Sequence, residues 1–398
     1  MTEMLQPGTS KIRLGAASAA LTLAVVLVFG LAAVPPAHAQ TFTDLYNFTI
    51  GHDGGNPYAG LIRDSKGNLY GTTYWGGSSG WGTVFKVDTK GKETVLYNFT
   101  GRADGANPSA GVIRDSSGNL YGTAYDGGTT NWGVVFKLDP TGKQTVLYTF
   151  AGGVADGCTP AQGLVLDKAG NVYGTTQQCG ATGYGIVFQV TPAGKETVLH
   201  HFAGGSSDGA VPVYGSLLID AKINLYGVTQ QGGATGEGVV YKLSKTGTMT
   251  LLYNFAGGTT DGCFPFGSLA KDKAGNFYGT TQQCGSSGNG VVWKLSKGTE
   301  TLLHSFAGGT TDGITPFAGV VLDATGNLYG DTSGGGASGA GTVYKLTSTG
   351  TLTLLHSFGG ADGQSPYGGV ILDTKGKVYG TSEAGGTGGG GTVWSLTP

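Results

Sequence analysis

The chain has 398 residues, of which 78 are glycine, yet 10% are aromatic and the glycines recur at fixed places, which excludes a low-complexity tract. Its formal charge is −2, with basic and acidic residues mixed along the sequence. That balance argues against a nucleic-acid partner, because backbone binding needs a basic face.

Lys11 and Arg13 precede an apolar run from Leu14 to Val34, and Pro35-Pro36-Ala37-His38-Ala39 closes it with an Ala-x-Ala site. The pattern predicts a cleaved secretory signal over residues 1–39, with Gln40 first in the mature chain and no membrane contact afterwards. Retained, the run would be long enough to span a bilayer as an anchor. Residues 43–48 then carry the pattern of a last strand in a repeat. In the first full unit, residues 60–64 read as a strand, 65–68 as a turn and 69–73 as its antiparallel partner. A Gly-Ser loop at 76–80 leads to a third strand at 83–87, a turn at 89–92 and a fourth strand at 94–99.

A Tyr-Gly pair marks the second strand of this unit and recurs at Tyr70, Tyr121, Tyr173, Tyr226, Tyr278, Tyr329 and Tyr379, about 51 residues apart. No helical periodicity follows residue 40, so helical solenoids are excluded. Adjacent apolar residues, as in Val95-Leu96-Tyr97, imply that both faces of each small sheet are covered. The predicted fold is therefore all-β, one domain over 40–398, a seven-bladed β-propeller of four-stranded antiparallel blades. The last repeat ends two residues before the C-terminus without a fourth strand, and residues 43–48 supply it, closing the ring by pairing the N-terminal strand with the C-terminal blade.

Gly-Asn-Leu-Tyr-Gly-Thr-Thr (67 to 73), the Gly-Gly pair at 76 and 77, Gly-Thr-Val-Phe-Lys-Val (82 to 87) and Thr-Val-Leu-Tyr-Asn-Phe (94 to 99) together resemble the Gloeo/Verruco (GloVer) tandem repeat of secreted or surface bacterial proteins. The resemblance covers the whole mature chain. It implies a propeller with export or surface attachment, and it brings no catalytic residues with it.

Cys158, Cys179, Cys263 and Cys284 form two intra-repeat pairs with equal spacing. Extending the hairpin outward from its turn sets Cys158 almost opposite Cys179, and Cys263 and Cys284 fall out identically. In an exported protein this predicts two disulfides within blades. A four-sulfur metal site would need the two pairs to converge from separate blades, and no metal or cofactor is assigned.

Asp-Gly-x-x-Pro recurs in every repeat, from Asp53 to Asp362, and a second Asp opens each inner hairpin, from Asp64 to Asp373. Seven-fold recurrence fits turn chemistry, whereas catalysis needs a singular constellation. His200, His304 and His356 take the fourth-strand slot held elsewhere by Tyr46, Tyr97, Tyr148 and Tyr253, so they read as aromatic substitutes. No catalytic residue is assigned.

Function is sought where the copies differ. Four positions after the repeat tyrosines stand Tyr74, Tyr125, Gln177, Gln230, Gln282 and Glu383, with Trp75 beside the first; before the third strand stand Trp81, Trp132, Tyr184 and Glu237. Aromatics follow the Asp-Gly-x-x-Pro proline at Tyr58, Phe266, Phe317 and Tyr367, with Tyr214 near the same place beside a one-residue insertion. Flat rings with amides suit a glycan. The expected function is a secreted or cell-surface binding module, with extracellular polysaccharide or another surface protein as partner. Two alternatives stay open: a carbohydrate-active hydrolase or lyase recruiting from Asp126, Glu237, Asp331 and Glu383, and a structural surface repeat without a ligand.

Overall fold

Each Tyr-Gly glycine is required by packing. A β-carbon on Gly71 would stand 2.6 Å from the Phe85 ring, and one on Gly122 would stand 2.7 Å from Phe136, because the third-strand aromatic lies across the second strand. The tyrosine beside it fixes the inner hairpin. Asp64 accepts the backbone N–H groups of Lys66 and Asn68, the Asn68 side-chain N–H and the Tyr70 hydroxyl, which satisfies the turn.

The computed structural model describes residues 40–212 and 214–398; the expected signal, residues 1–39, lies outside the described residues. Seven four-stranded antiparallel sheets follow in order and form a seven-bladed propeller. Blade 1 runs Ile62–Arg63, Leu69–Thr73, Thr83–Val87 and Glu93–Asn98 from the inside outwards. Blade 7 has Ile371–Leu372, Val378–Ser382 and Thr392–Thr397, with Thr41–Asn47 added antiparallel as its outer strand. That register, Thr41 to Thr397 and Asn47 to Thr392, closes the ring and places the strand slightly earlier than expected.

The hydrophobic core lies between blades. Phe48 meets Phe85, Phe99 meets Phe136, Phe150 meets Phe188 and Phe202 meets Tyr241, edge to face, with ring centroids 5.0, 5.2, 5.1 and 5.4 Å apart. Phe255 with Trp293, Phe306 with Tyr344 and Phe358 with Trp394 complete the circle. Such pairs contribute roughly 0.5–1.5 kcal/mol each beyond area burial. A bulge in the pairing of the third and fourth strands, between Val84 and Phe85 in blade 1, accounts for the side-by-side Val95-Leu96-Tyr97.

The inner ladders are shorter than expected, Ile62–Arg63 in place of residues 60–64. Residues before Ile62 turn toward the axis, where neighbouring blades approach backbone to backbone. A β-carbon on Gly60 would stand 2.5 Å from the Gly368 carbonyl oxygen, and one on Gly111 would stand 2.6 Å from that of Gly60. Glycine at these places lets the ring close tightly around a narrow shaft.

Both disulfides are present, Cys158 to Cys179 and Cys263 to Cys284, each with Cα atoms 5.4 Å apart. Gly157 pairs with Cys179 and Cys158 with Gln178, so the hairpin extension expected from the spacing is present. Cys179 and Cys284 have φ of 65° and 68°, in a slot where Gly76, Gly127, Gly232, Gly335 and Gly385 stand in other blades.

Candidate functional site at the axial mouth

The shaft is a cavity of about 420 Å³ lined by first-strand residues. Glycines and small residues make its waist, and Ile62, Ile113, Val321 and Ile371 line its far end. Its near mouth carries Tyr58, Tyr214, Phe266, Phe317 and Tyr367, while Ser109 and Ala161 leave the blade 2 and blade 3 sectors without a ring. These rings touch in sequence: Tyr214 stacks on Phe266 at 5.4 Å, Phe266 meets Phe317 at 5.1 Å, Phe317 meets Tyr367 at 4.7 Å and Tyr367 stacks near Tyr58 at 5.9 Å. The chain continues outward on blade 1, from Tyr58 to Tyr74 at 5.4 Å and from Tyr74 to Trp75 at 4.9 Å.

Tyr58, Phe266, Phe317 and Tyr367 reach the mouth because each follows the proline that starts a first strand. Tyr214 arrives by the one-residue insertion in blade 4, and it is the most open of the five, at 39% exposure. The signal for this crown was in the sequence, in the residue after each Asp-Gly-x-x-Pro. The first strand is the axial one, so that position must face the hole.

Of the positions that vary after the second strand, the structure brings Tyr74, Tyr125, Gln177 and Glu383 to the same mouth. The Tyr125 hydroxyl lies 3.5 Å from the Gln177 Oε1 that accepts from it. Burial raises Tyr58, with Glu383 hydrogen-bonding it and adding to the effect. Burial pushes Tyr74 up to about 12, helped by Asp126, Tyr125 and Tyr214. Tyr214 and Tyr367 are likewise raised by burial, then by Tyr125 and Glu383 respectively. All four hydroxyls therefore stay protonated at neutral pH and can donate. Gln230 and Gln282 hold the equivalent register in blades 4 and 5 and are half-buried.

Trp75 stands just outside, in a shallow groove with Ile50, His52 and Gly76. Trp81, Trp132, Tyr184 and Glu237 lie elsewhere. Each covers the glycine of the next inter-blade loop: Trp81 lies against Gly101, Trp132 against Gly152, Tyr184 against Gly204 and Glu237 against Gly257. They share one structural position, and none of them lines the shaft. Trp81 and Trp132 keep 41% and 43% exposure, so their outer faces remain open to solvent.

Asp331 corrects the grouping of acids on this face. It is a mid-strand residue of Leu328–Thr332, 0% exposed, and burial pushes its carboxyl up to about 8. The repeated Asp-Gly aspartates hold the inter-blade loops: Asp53 accepts from the Tyr46 hydroxyl and the Thr49 N–H, and His200, His304 and His356 pair with Asp208, Asp312 and Asp362 at 2.9, 3.1 and 2.7 Å. Among the described residues, no three His, Cys, Asp or Glu side chains come together as a metal site.

The Gloeobacter/Verrucomicrobia repeat matches residues 29–177, 154–325 and 271–398. The chain belongs to this repeat family. No curated protein sequence matches it. Among solved structures it is similar to virginiamycin B lyase from Staphylococcus aureus, with a TM-score of 0.59 and 14% identity over 90% of this chain and 99% of that one. It is also similar to the extracellular domain of a protein described as a one-component system from B. thetaiotaomicron, with a TM-score of 0.53 and 10% identity over 88% of this chain and 39% of that one. At these identities the likeness shows a shared propeller fold.

Proposed function

We propose that this member of the repeat family is an exported binding module that takes the end of a carbohydrate chain at the axial mouth. The observation that carries the reading is the convergence of Tyr58, Tyr74, Tyr125, Tyr214, Tyr367 and Glu383 over a narrow apolar shaft. A pyranose presents C–H faces to aromatic rings and hydroxyls to neutral tyrosine O–H groups and to a carboxylate, so this mixture matches both halves of a sugar. A cavity of about 420 Å³ lies in the small-ligand range, which favours a chain end over a polymer crossing the surface. Export is supported by the signal pattern of residues 1–39 and by two disulfides, which persist in oxidising compartments.

Calorimetric titration of residues 40–398 against an oligosaccharide panel tests the reading. Tyr58→Ala plus Tyr214→Ala should weaken the best ligand at least tenfold, while Trp81→Ala plus Trp132→Ala should retain it. No binding anywhere in the panel, or binding that survives the loss of both tyrosines, would remove the axial site.

A further inference from the structure

The cations, which alternate with acids along the sequence, are gathered in space, whereas the acids are divided between the two ends. From residue 40 onward, every Lys and Arg except Arg102 stands at one end of the strands. They close a first strand, as Arg63 does, occupy the turn after it, as Lys66 does, end a third strand, as Lys86 does, or occupy the third-to-fourth turn, as Lys90 does. Twenty cations share this end with twelve acids, the seven hairpin aspartates, Asp88, Asp139, Glu93, Glu196 and Glu300, and the excess that makes the end basic comes from blades 1, 2, 4, 5 and 7. The opposite end, around the axial mouth, holds the Asp-Gly aspartates, Asp126, Glu237 and Glu383 with Arg102 as its one cation.

No lysine or arginine of the basic end is in direct contact with a carboxylate among the described residues. Among the described residues the ion pairs within 4.0 Å are His with Asp, and the turn aspartates accept from their own backbone and from Asn and Tyr. Glu93, Glu196 and Glu300, on outer strands beside the turns, are pushed up to about 7 by burial, which lowers their opposing charge at neutral pH.

We propose that this basic end is a docking surface for an anionic lipid bilayer. The cations are spread over the turns of the whole ring rather than gathered in a cleft, which suits a broad, flat anionic partner more than a single headgroup. The chain also enters here. Thr41 pairs with Thr397 and Phe42 with Leu396, in the row that leads through Val378 to the Asp373 turn, so Gln40 leaves the propeller at the basic end. Only residues 35–39 separate it from the apolar run Leu14–Val34. Stable peripheral attachment commonly combines two signals, and the apolar run, where it is retained ahead of Gln40, would supply the second. This departs from the expectation of a mature chain without membrane contact. It leaves the axial mouth facing away from the bilayer and does not depend on what that mouth binds.

Residues 40–398 close their own ring and core, so they can be tested alone. Cosedimentation with vesicles of phosphatidylcholine, or of phosphatidylcholine with one quarter phosphatidylglycerol, should show at least tenfold stronger partition on the anionic vesicles, abolished in 0.5 M salt at roughly a 4 Å screening length. Lys66→Glu with Lys168→Glu and Lys273→Glu should reduce that partition by about fivefold or more per site. A second set on the outer turns, Lys90→Glu, Lys143→Glu and Lys245→Glu, should act likewise, and Arg102→Glu should change nothing. Equal partition on both vesicles, or an Arg102→Glu effect as large as the turn variants', would overturn the proposal. So would charge-dependent self-association in sedimentation velocity without lipid binding, which would assign the basic end to the acidic end of a second copy.

Discussion

Replacing Asp331 with threonine should stabilise the protein, and the gain should grow with pH. In blades 1, 2, 5 and 7 the equivalent residues Thr72, Thr123, Thr280 and Thr381 donate to a carbonyl of the next blade's first strand, at 2.9, 3.2, 2.8 and 3.0 Å. Blade 6 buries a carboxyl there instead, with neither oxygen in a well-formed hydrogen bond and a pKa pushed by desolvation up to about 8, against a weaker opposing pull from the Gly369 N–H and its own. The folded pKa lies above the unfolded value, so between about pH 4 and 8 the native state holds a proton that the unfolded state has released. Stability therefore falls as pH rises through that window. At pH 7 the penalty is about 4 kcal/mol, from roughly three pKa units at 1.36 kcal/mol each, and a restored threonine hydrogen bond adds about 1 kcal/mol. For a domain of about 360 residues that corresponds to a Tm gain of roughly 6 °C at pH 7, shrinking to 1 or 2 °C near pH 4. Scanning calorimetry from pH 4 to 8.5 reads both. A gain of the same size at every pH, or a loss of stability at pH 8, would refute the reasoning.

Four further outcomes follow from the packing. Glu93, Glu196 and Glu300 have folded pKa values raised to about 7 and Asp44 to about 6, so they too should make the protein less stable as pH rises from about 4.5 to 7. Glu93→Gln with Glu196→Gln and Glu300→Gln should flatten that slope in denaturant titrations, since Gln144 already fills the slot in blade 2 and donates to the Asp104 carbonyl at 3.0 Å. Cys158→Ala with Cys179→Gly reproduces blade 2 at Ala106 and Gly127 and should cost about 1–2 kcal/mol, less than the roughly 3 kcal/mol of a loop this size, because glycine relieves the positive φ; Cys158→Ala with Cys179→Ala should cost more. Gly122→Ala should cost about 1–3 kcal/mol by driving a methyl into Phe136, measured by urea denaturation. Deleting residues 40–48 removes the outer strand of blade 7 and the buried Phe48, and should abolish the cooperative melting transition seen by circular dichroism.

The architecture was legible because repetition reports on structure. The Tyr-Gly pair and the hairpin Asp recur at positions where packing or a turn demands one residue type, the paired cysteines keep one spacing in two blades, and the short C-terminal blade named its missing strand. The mouth was harder. Tyr58, Phe266, Phe317 and Tyr367 were visible as aromatics after a proline, but that they converge depends on how tightly the first strands close, which the glycine contacts at Gly60 and Gly111 set. Trp81 and Trp132 looked like a partner surface because tryptophan is large and exposed; the structure gives them a loop glycine to cover. Asp331 broke the repeat like a functional acid, although its mid-strand place in Leu-Tyr-Gly-Asp-Thr already implied burial. The gathering of the cations was invisible to any count along the chain and appears only once each turn is assigned to an end.

Crystals of residues 40–398 soaked with the tightest oligosaccharide test the binding site most directly. Sugar density stacked on Tyr214 and Tyr58, with a hydroxyl against Glu383, is the expected result. Density over Trp81 or Trp132 with the axial mouth empty would contradict it.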